Sequence, residues 1–221
     1  MIRFADNETI FTPETMTQRR IDTTDSDNEL SRLLQDVRAC RLCEQHLEPN
    51  PIVKAGSTAR LMIIGQAPGT RVHATGIPWN DPSGDRLRAW LGLDKETFYD
   101  TRRIAIMPMG FCYPGKGRSG DLPPRKECYE HWHHKILARL PRLEVFLLVG
   151  LYAQQAYLPN AYKSLSENVK HWRDWYPRLI PLPHPSPRNT LWLKQRPWFE
   201  EEVIPQVRNH VHDLLINQAD K

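Results

Sequence analysis

The run Leu61–Gly69 constrains the fold more than any other stretch of this 221-residue chain. The apolar residues Leu61–Ile64 lead directly into a turn built from two glycines and a proline, Gly65–Gly69. A short, uninterrupted apolar run is typical of a strand buried on both faces of a parallel sheet. Ligands of such sheets bind beside the carboxyl ends of the strands, so this turn is a candidate binding element.

Three further apolar runs continue the strand pattern, and segments with helical periodicity separate them. The runs are Arg103–Met107, Val145–Gly150 and Leu179–Leu182, the last suited to a sheet edge by Pro181. Helices are expected at 83–92, 124–140, 152–157 and across most of 191–217. Strands that alternate with helices predict the α/β class, and specifically a three-layer α/β/α sandwich with a central four-stranded parallel sheet.

The beginning of the chain differs in character from the rest. Residues 1–25 are mostly polar and without sustained periodicity, which predicts a loosely packed tail before one domain at 26–221. Ser26 and Glu29 have the spacing of a capping box, so a helix is expected to begin at Ser26. Met1–Asp6 has no apolar signal core, and no apolar run reaches about 18 residues, which predicts a cytoplasmic protein without a membrane span.

A second candidate binding element is the proline-rich loop that contains His184, Pro183–Asn189. It follows the last predicted strand as Gly65–Gly69 follows the first, so both are expected at one edge of the sheet. Each could be no more than a rigid connection, but two rigid turns at one edge favour a site. The first turn matches neither a Walker loop nor a dinucleotide-binding fingerprint. The net charge of +4 favours an anionic partner only weakly.

The four cysteines form a third candidate constellation. They are Cys40, Cys43, Cys112 and Cys128, a Cys-x2-Cys pair followed by two distant thiols. Disulfides are disfavoured in a cytosolic protein, whereas a Cys-x2-Cys pair is suited to chelating a metal. The other two thiols could complete a site for zinc or for an iron–sulfur cluster, between which the spacing does not decide. Four unrelated thiols remain the alternative.

Three motifs together resemble the uracil-DNA glycosylase superfamily, and in particular its bacterial and archaeal iron–sulfur branch. They are Gly65–Gly69, Gly76–Trp79 and His184–Pro187. The resemblance extends from about Cys40 to the C-terminal helix and implies the same α/β/α fold. It also implies a DNA glycosylase that hydrolyses the N-glycosidic bond of uracil or a related damaged base. In that branch four cysteines hold a 4Fe–4S cluster, which implies such a cluster here, with zinc as the alternative metal.

The resemblance also implies roles for individual residues. His184 would stabilise the charge that develops on the departing base, and Trp79 would stack on that base after it leaves the helix. Gln66, with His73 or Asp81, would lie near the attacking water. Further contacts to the base would come from Gly65, Ala67, Pro68, Gly69 and Ser186. DNA contacts would come from Pro187, Arg188, Asn189, Lys116 and Arg118. The implied partner is DNA with a flipped base, bound by a monomer.

Two positions depart from the pattern of the superfamily. Gln66 and Ala67 stand where many relatives have a residue that positions water, and neither is acidic. Pro108 stands where relatives of the iron–sulfur branch have an asparagine that reads the edge of uracil. These departures leave a second function open, a weakly active or non-catalytic nucleic-acid-binding protein. A third, favoured only by the modest charge, is an enzyme acting on free nucleosides.

Overall fold

The centre of the molecule is a four-stranded, all-parallel sheet. The structure is a computed structural model that describes residues 23–118 and 120–216. The strands are β1 (Leu61–Ile64), β2 (Ile104–Ile106), β3 (Val145–Val149) and β4 (Leu179–Leu182), in the spatial order β2-β1-β3-β4. The predicted four-stranded parallel sheet is confirmed. Strand β4 lies at an edge, a position that tolerates the missing N–H of Pro181.

Alternate strand residues point into two separate hydrophobic cores. Leu61 and Ile63 face one core, which also contains side chains of the segments 82–91 and 204–216. Met62 and Ile64 face the other, together with side chains of 23–38 and 129–137. All four of these strand residues are fully buried. Because helices cover both faces, the strands read as continuous apolar runs rather than as alternating ones, and the three-layer α/β/α architecture is confirmed.

Ten α-helices lie in the described part of the chain. They are α1 (Thr23–Arg38), α2 (Thr70–Thr75), α3 (Pro82–Leu91), α4 (Lys95–Tyr99), α5 (Lys126–Cys128), α6 (His134–Leu137), α7 (Leu151–Tyr157), α8 (Leu165–Lys170), α9 (Thr190–Lys194) and α10 (Ile204–Ile216). The π-helical segments Tyr129–His133 and Phe199–Val203 precede α6 and α10, and 3-10 turns lie at Trp172–Asp174 and Pro187–Asn189. Across residues 23–118 and 120–216, no helix combines the length and apolarity that crossing a bilayer requires.

The first helix corrects one prediction about its own start. Helix α1 already includes Thr23, so Ser26 lies inside the helix and is not its N-cap. Residues 23–25, assigned above to the tail, are therefore helical, whereas residues 1–22 lie outside the described part of the chain. Asp27 accepts a hydrogen bond from the Ser57 hydroxyl. That contact joins the first turns of α1 to the loop before β1 and favours a helix that begins ahead of Ser26.

Helix α2 is a further difference, since it lies within Thr70–Pro82, a stretch outside the helices predicted from the sequence. Six residues of this stretch form a helix that buries Val72 against the domain. Gly76 ends the helix with a φ of 66°, a left-handed conformation that glycine adopts without strain. The turn formers of this stretch therefore mark the end of a short helix rather than the absence of one.

Candidate active site

A cavity of about 600 Å³ opens at the carboxyl ends of the strands. The turn after β1, Gly65–Gly69, forms one wall, and the loop after β4, His184–Asn189, forms another. The segment 78–83 and Pro108, the second residue after β2, contribute further parts of the lining. The structure thus brings together two turns that are more than one hundred residues apart in the sequence.

The Gly65–Gly69 turn is fixed to the loop after β2 by backbone hydrogen bonds. Met109 N–H donates to the Gly65 carbonyl at 2.9 Å, and Gly110 N–H donates to the Gln66 carbonyl at 3.0 Å. A Cβ on Gly65 would lie 2.8 Å from the indole ring of Trp79. Only glycine therefore allows the aromatic ring to lie directly against this turn.

Trp79 is held in a strained backbone conformation with a φ of 57°. Its carbonyl accepts a hydrogen bond from Arg88 at 3.2 Å, and the preceding carbonyl, of Pro78, accepts one from the Tyr99 hydroxyl at 2.8 Å. A Cβ on Gly84 would lie 1.7 Å from the Trp79 carbonyl oxygen, so helix α3 can pack here only with glycine at that position. These contacts make the indole a fixed aromatic wall of the cavity.

His184 lines the cavity and carries its ring hydrogen on one nitrogen. Its Nδ1 accepts a hydrogen bond from the Ser186 backbone N–H at 3.2 Å, which assigns the hydrogen of the neutral ring to Nε2. Burial lowers the pKa of His184, and the nearby carboxylates Asp81 and Asp121 oppose that shift only in part. The ring is therefore neutral at pH 7. Its centroid lies 5.6 Å from that of Trp79.

The loop that carries His184 is braced from three directions. Arg86 Nη1 donates to the carbonyls of Pro185 and Ser186, at 3.4 and 3.2 Å. Asn189 Nδ2 donates to the His184 carbonyl at 2.8 Å. The end of β4 is fixed by the buried Gln154, whose Nε2 donates to the Leu182 carbonyl at 3.0 Å. This bracing limits the positions that the imidazole can take.

A known protein family matches most of the chain. A family model described as the uracil DNA glycosylase superfamily matches residues 53–208, more than two thirds of the chain. The chain belongs to the uracil DNA glycosylase superfamily. The matched region contains all four strands and the three segments that carry Gly65, Trp79 and His184. Members of this superfamily are typically DNA glycosylases of base-excision repair, and they act on DNA.

Most residues that the superfamily motifs singled out line the cavity. Those that do are Gly65, Gln66, Ala67, Pro68, Gly69, Trp79, Asp81, His184, Ser186, Pro187, Arg188 and Asn189. Asp81 has a structural role as well, since its Oδ1 accepts the Gly84 N–H at 2.8 Å as the N-cap of α3. Lys116 and Arg118 are exposed on the loop that borders the cavity mouth but do not line the cavity.

His73 lies outside this cavity, unlike the prediction that placed it near the attacking water. It belongs to α2 and faces a neighbouring groove of about 280 Å³, in which its Nε2 lies 3.5 Å from Glu48. Its ring packs beside Tyr113, with the two centroids 6.0 Å apart. The formation of α2 explains the difference, because the helix turns this side chain away from the Gly65–Gly69 turn.

The wall formed by Pro108 depends on a buried network that the sequence did not reveal. His133 Nε2 donates to the Pro108 carbonyl at 3.2 Å, and its Nδ1 accepts from the Tyr157 hydroxyl at 2.6 Å. Burial lowers the pKa of His133 to about 3, so the ring is neutral. Proline has no N–H, and here its carbonyl is already bonded. The cavity wall at Pro108 therefore offers no hydrogen-bond donor.

The four cysteines lie near one another beside this network. Cys43, Cys112 and Cys128 are buried, whereas Cys40 is partly exposed. Burial raises the pKa of the Cys128 thiol to about 12 and that of Cys112 to about 11, and electrostatic repulsion from the other cysteines adds to both shifts. Among the described residues, no group of three or more His, Cys, Asp or Glu side chains has the geometry of a metal site.

Two of the four sulfurs accept hydrogen bonds from N–H donors. Trp132 Nε1 donates to Cys40 Sγ at 3.4 Å, and the Phe111 backbone N–H donates to Cys128 Sγ at 3.4 Å. Hydrogen bonds to sulfur are among the features that tune thiolate-bound metal centres. Cys112 and Cys128 lie within the region matched by the superfamily model, and the Cys-x2-Cys pair lies before it.

Proposed function

We propose that this protein is a DNA glycosylase that hydrolyses the N-glycosidic bond of uracil or a related damaged base in DNA. The observation that carries the proposal is the neutral His184, which carries its N–H on Nε2 and lines a cavity walled by the fixed indole of Trp79. The membership of the chain in the uracil DNA glycosylase superfamily supports the same reaction class. The protein would bind DNA as a monomer.

The proposed mechanism begins with a nucleotide that leaves the DNA stack, at a cost of a few kcal/mol. Its base would stack on Trp79 inside the cavity. Cleavage of the bond between the base and C1′ leaves negative charge on the base, and the Nε2–H of His184 would donate to the base oxygen that carries it. A donor that is already fixed in place needs no reorganisation as the charge develops, and it lowers the barrier for that reason.

The choice of base is expected to be broader than uracil. Pro108 offers no hydrogen-bonding group, because it lacks an N–H and its carbonyl is bonded to His133. Recognition would then depend on Gln66 and on the backbone N–H groups of the Gly65–Gly69 turn. Sites that discriminate strongly between similar substrates form hydrogen bonds from buried polar groups to the substrate. The cavity wall at Pro108 has no donor for such a bond.

A panel of damaged DNA tests the proposed reaction. Single- and double-stranded oligonucleotides that carry uracil, hypoxanthine or xanthine are incubated with the purified protein and then cleaved with alkali. We expect strand cleavage at one or more of these bases and none in undamaged DNA. The absence of an abasic product from every substrate would overturn the proposal. Activity on free deoxyuridine but not on DNA would replace it with a nucleosidase function.

A binding protein without base release is the second candidate function. It is favoured by Gln66 and Ala67, neither of which carries a carboxylate, and by Pro108 in place of an asparagine. This alternative predicts salt-dependent binding of DNA without any abasic product. Binding measured at two salt concentrations beside the cleavage assay separates the two candidates, since only the glycosylase gives strand cleavage.

We also propose that Cys40, Cys43, Cys112 and Cys128 hold a 4Fe–4S cluster, with zinc as the alternative. The proximity of the four sulfurs, the burial of three of them and the N–H donors at two of them support this assignment. A bound cluster would supply structural cross-linking, joining the end of α1 to the loop after β2 and to α5. We expect a brown protein with broad visible absorbance and about four iron atoms per chain. A colourless protein with stoichiometric zinc would contradict the cluster.

A further inference from the structure

Asp121 borders the cavity beside the Gly65–Gly69 turn, and no sequence motif singled it out. Its Oδ2 lies 3.9 Å from the position that a Cβ on Gly69 would occupy. The residue belongs to the loop Lys116–Asp121, which follows β2 and crosses the mouth of the cavity. This loop therefore places a carboxylate next to the turn whose own sequence, Gln66 and Ala67, contains none.

The orientation of the Asp121 side chain leaves one oxygen available. The Tyr113 hydroxyl donates to Oδ1 at 3.3 Å. Burial and the neighbouring carboxylate both raise the pKa of Tyr113, so the hydroxyl stays protonated and remains a donor. Oδ2 is the oxygen that faces Gly69. A carboxylate held through one oxygen keeps the other free to accept a proton or a hydrogen bond from water.

The backbone of this loop is closed by its own hydrogen bonds. Lys116 and Asp121 form an antiparallel bridge, and Gly117 N–H donates to the Gly120 carbonyl at 2.6 Å. Gly120 has a φ of 151°, and the guanidinium of Arg188 lies over it, 2.6 Å from where its Cβ would be. Asp121 is therefore positioned by a closed hairpin that rests on the loop carrying His184.

Asp81 is the other carboxylate among the described residues that line the cavity. Its Oδ1 accepts the Gly84 N–H at the start of α3, and that bond holds the helix under Trp79. The Asp81 carboxylate thus lies at the wall on which the base would stack. Asp121 lies on a different side of the cavity, with its Oδ2 next to the Gly65–Gly69 turn.

We propose that Asp121 is a catalytic residue that holds and deprotonates the water attacking C1′. This inference rests on the glycosylase reaction proposed above. In the reaction the bond between C1′ and the base nitrogen breaks, and its electron pair goes to the base, which is stabilised by His184. The water oxygen forms the new bond to C1′, and its proton passes to the Asp121 carboxylate and from there to solvent or to the released base.

Single-turnover kinetics test this role. Asp121→Asn keeps the shape and the hydrogen bond from Tyr113 but removes the basic oxygen, so we expect base release to slow by about 100-fold or more. Asp121→Glu keeps the carboxylate and should recover part of the rate. Binding to DNA that carries a non-hydrolysable 2′-fluorinated nucleotide should stay within about threefold for both variants. The control is Glu202→Gln, which removes an exposed carboxylate beside α10 and should match the wild type.

The outcomes separate this inference from the function on which it rests. An active wild type with an equally active Asp121→Asn variant would overturn the role of Asp121 and leave the glycosylase reaction intact. A rate loss matched by an equal loss of DNA binding would also overturn it, since the residue would then act only in binding. A wild type inactive on every damaged base would overturn the proposed function and this inference with it.

Discussion

The two loops that meet over the cavity are held in opposite ways. The His184–Asn189 loop is cross-linked to the domain through Arg86 and through its own side chains. The Lys116–Asp121 loop is closed by its own backbone and meets its neighbour where Gly120 lies under Arg188. The first loop contains two prolines and the second two glycines.

The difference between the two loops agrees with the side chains that each of them carries. A donor that stabilises developing charge must be fixed before the reaction begins, and the end of β4 and the loop with His184 are fixed by Arg86, Gln154 and the loop's own Asn189. Lys116 and Arg118 are exposed, and cationic side chains can contact phosphates at many positions along DNA. A loop closed mainly by its own backbone is sufficient for that task. Three of the four predictions below test whether activity depends on the braced loop and affinity on the two cationic side chains of the other loop.

The largest effect is expected from removing His184, the hydrogen-bond donor on the braced loop. His184→Ala should slow base release by about 10²- to 10³-fold, because no other group in the described cavity wall replaces its Nε2–H. Binding of uncleaved DNA should change by no more than a few-fold. Single-turnover assays and binding titrations measure the two effects. His134→Ala, which removes an exposed histidine on α6, is the control and should retain the wild-type rate.

The second effect concerns the stability that depends on His133, the buried histidine that donates to the Pro108 carbonyl in the cavity wall. The pKa of His133 is about 3 in the folded protein and about 6.5 when unfolded, so the unfolded chain binds more protons between those values. Stability is therefore lost as the pH falls below about 6.5. Between pH 7 and pH 5 this one group should cost about 2 kcal/mol of unfolding free energy.

Denaturant unfolding at both pH values tests that loss. His133→Gln should be less stable than the wild type at pH 7 yet show a smaller decrease on acidification. His131→Gln removes an exposed histidine from the same π-helical segment and should leave the pH dependence unchanged. Equal pH slopes for the wild type and His133→Gln would show that His133 is not the group that titrates.

The third prediction concerns Arg86, which braces the His184–Asn189 loop, and its expected effect is smaller. Arg86→Ala leaves the carbonyls of Pro185 and Ser186 without their donor, and the loop gains freedom. Base release should slow by about tenfold, equivalent to one lost charge-assisted hydrogen bond. Arg142→Ala removes an exposed arginine before β3 and should have no such effect. A normal rate in Arg86→Ala would mean that prolines alone fix the loop.

The smallest effect is expected from removing the cationic side chains of the Lys116–Asp121 loop. Lys116→Ala and Arg118→Ala should each weaken DNA binding by a few-fold and reduce the salt dependence by about one counterion. The rate of base release from bound DNA should not change. Lys95→Ala, at the opposite end of the sheet, controls for the loss of one positive charge. A lower rate of bond cleavage in Lys116→Ala would mean that this loop acts in the chemistry through more than Asp121.

Much of the fold could be predicted from the sequence because its signals are local. Leu61–Ile64 and Val145–Val149 are apolar throughout, which is the pattern of strands covered on both faces. The helical periodicity at 83–92 gives α3, with its left-handed end at Gly92. The start of α1 was placed three residues too late, because a capping-box spacing at Ser26 outweighed weaker helical signals before it. Propensity decides such ends poorly, since packing overrides it.

The sequence by itself determined the layers of this protein and the two turns that face the cavity. Buried strands and proline-rich turns can both be recognised from residues that are neighbours in the sequence. Only the tertiary structure decided which groups hold and complete the site. Arg86 meets its carbonyl partners about one hundred positions away, His133 reaches Pro108 across two elements, and Asp121 reaches Gly69 from a separate loop. Contacts between distant segments leave no periodic or local signal, so they exist only once the sheet has brought its strand ends together.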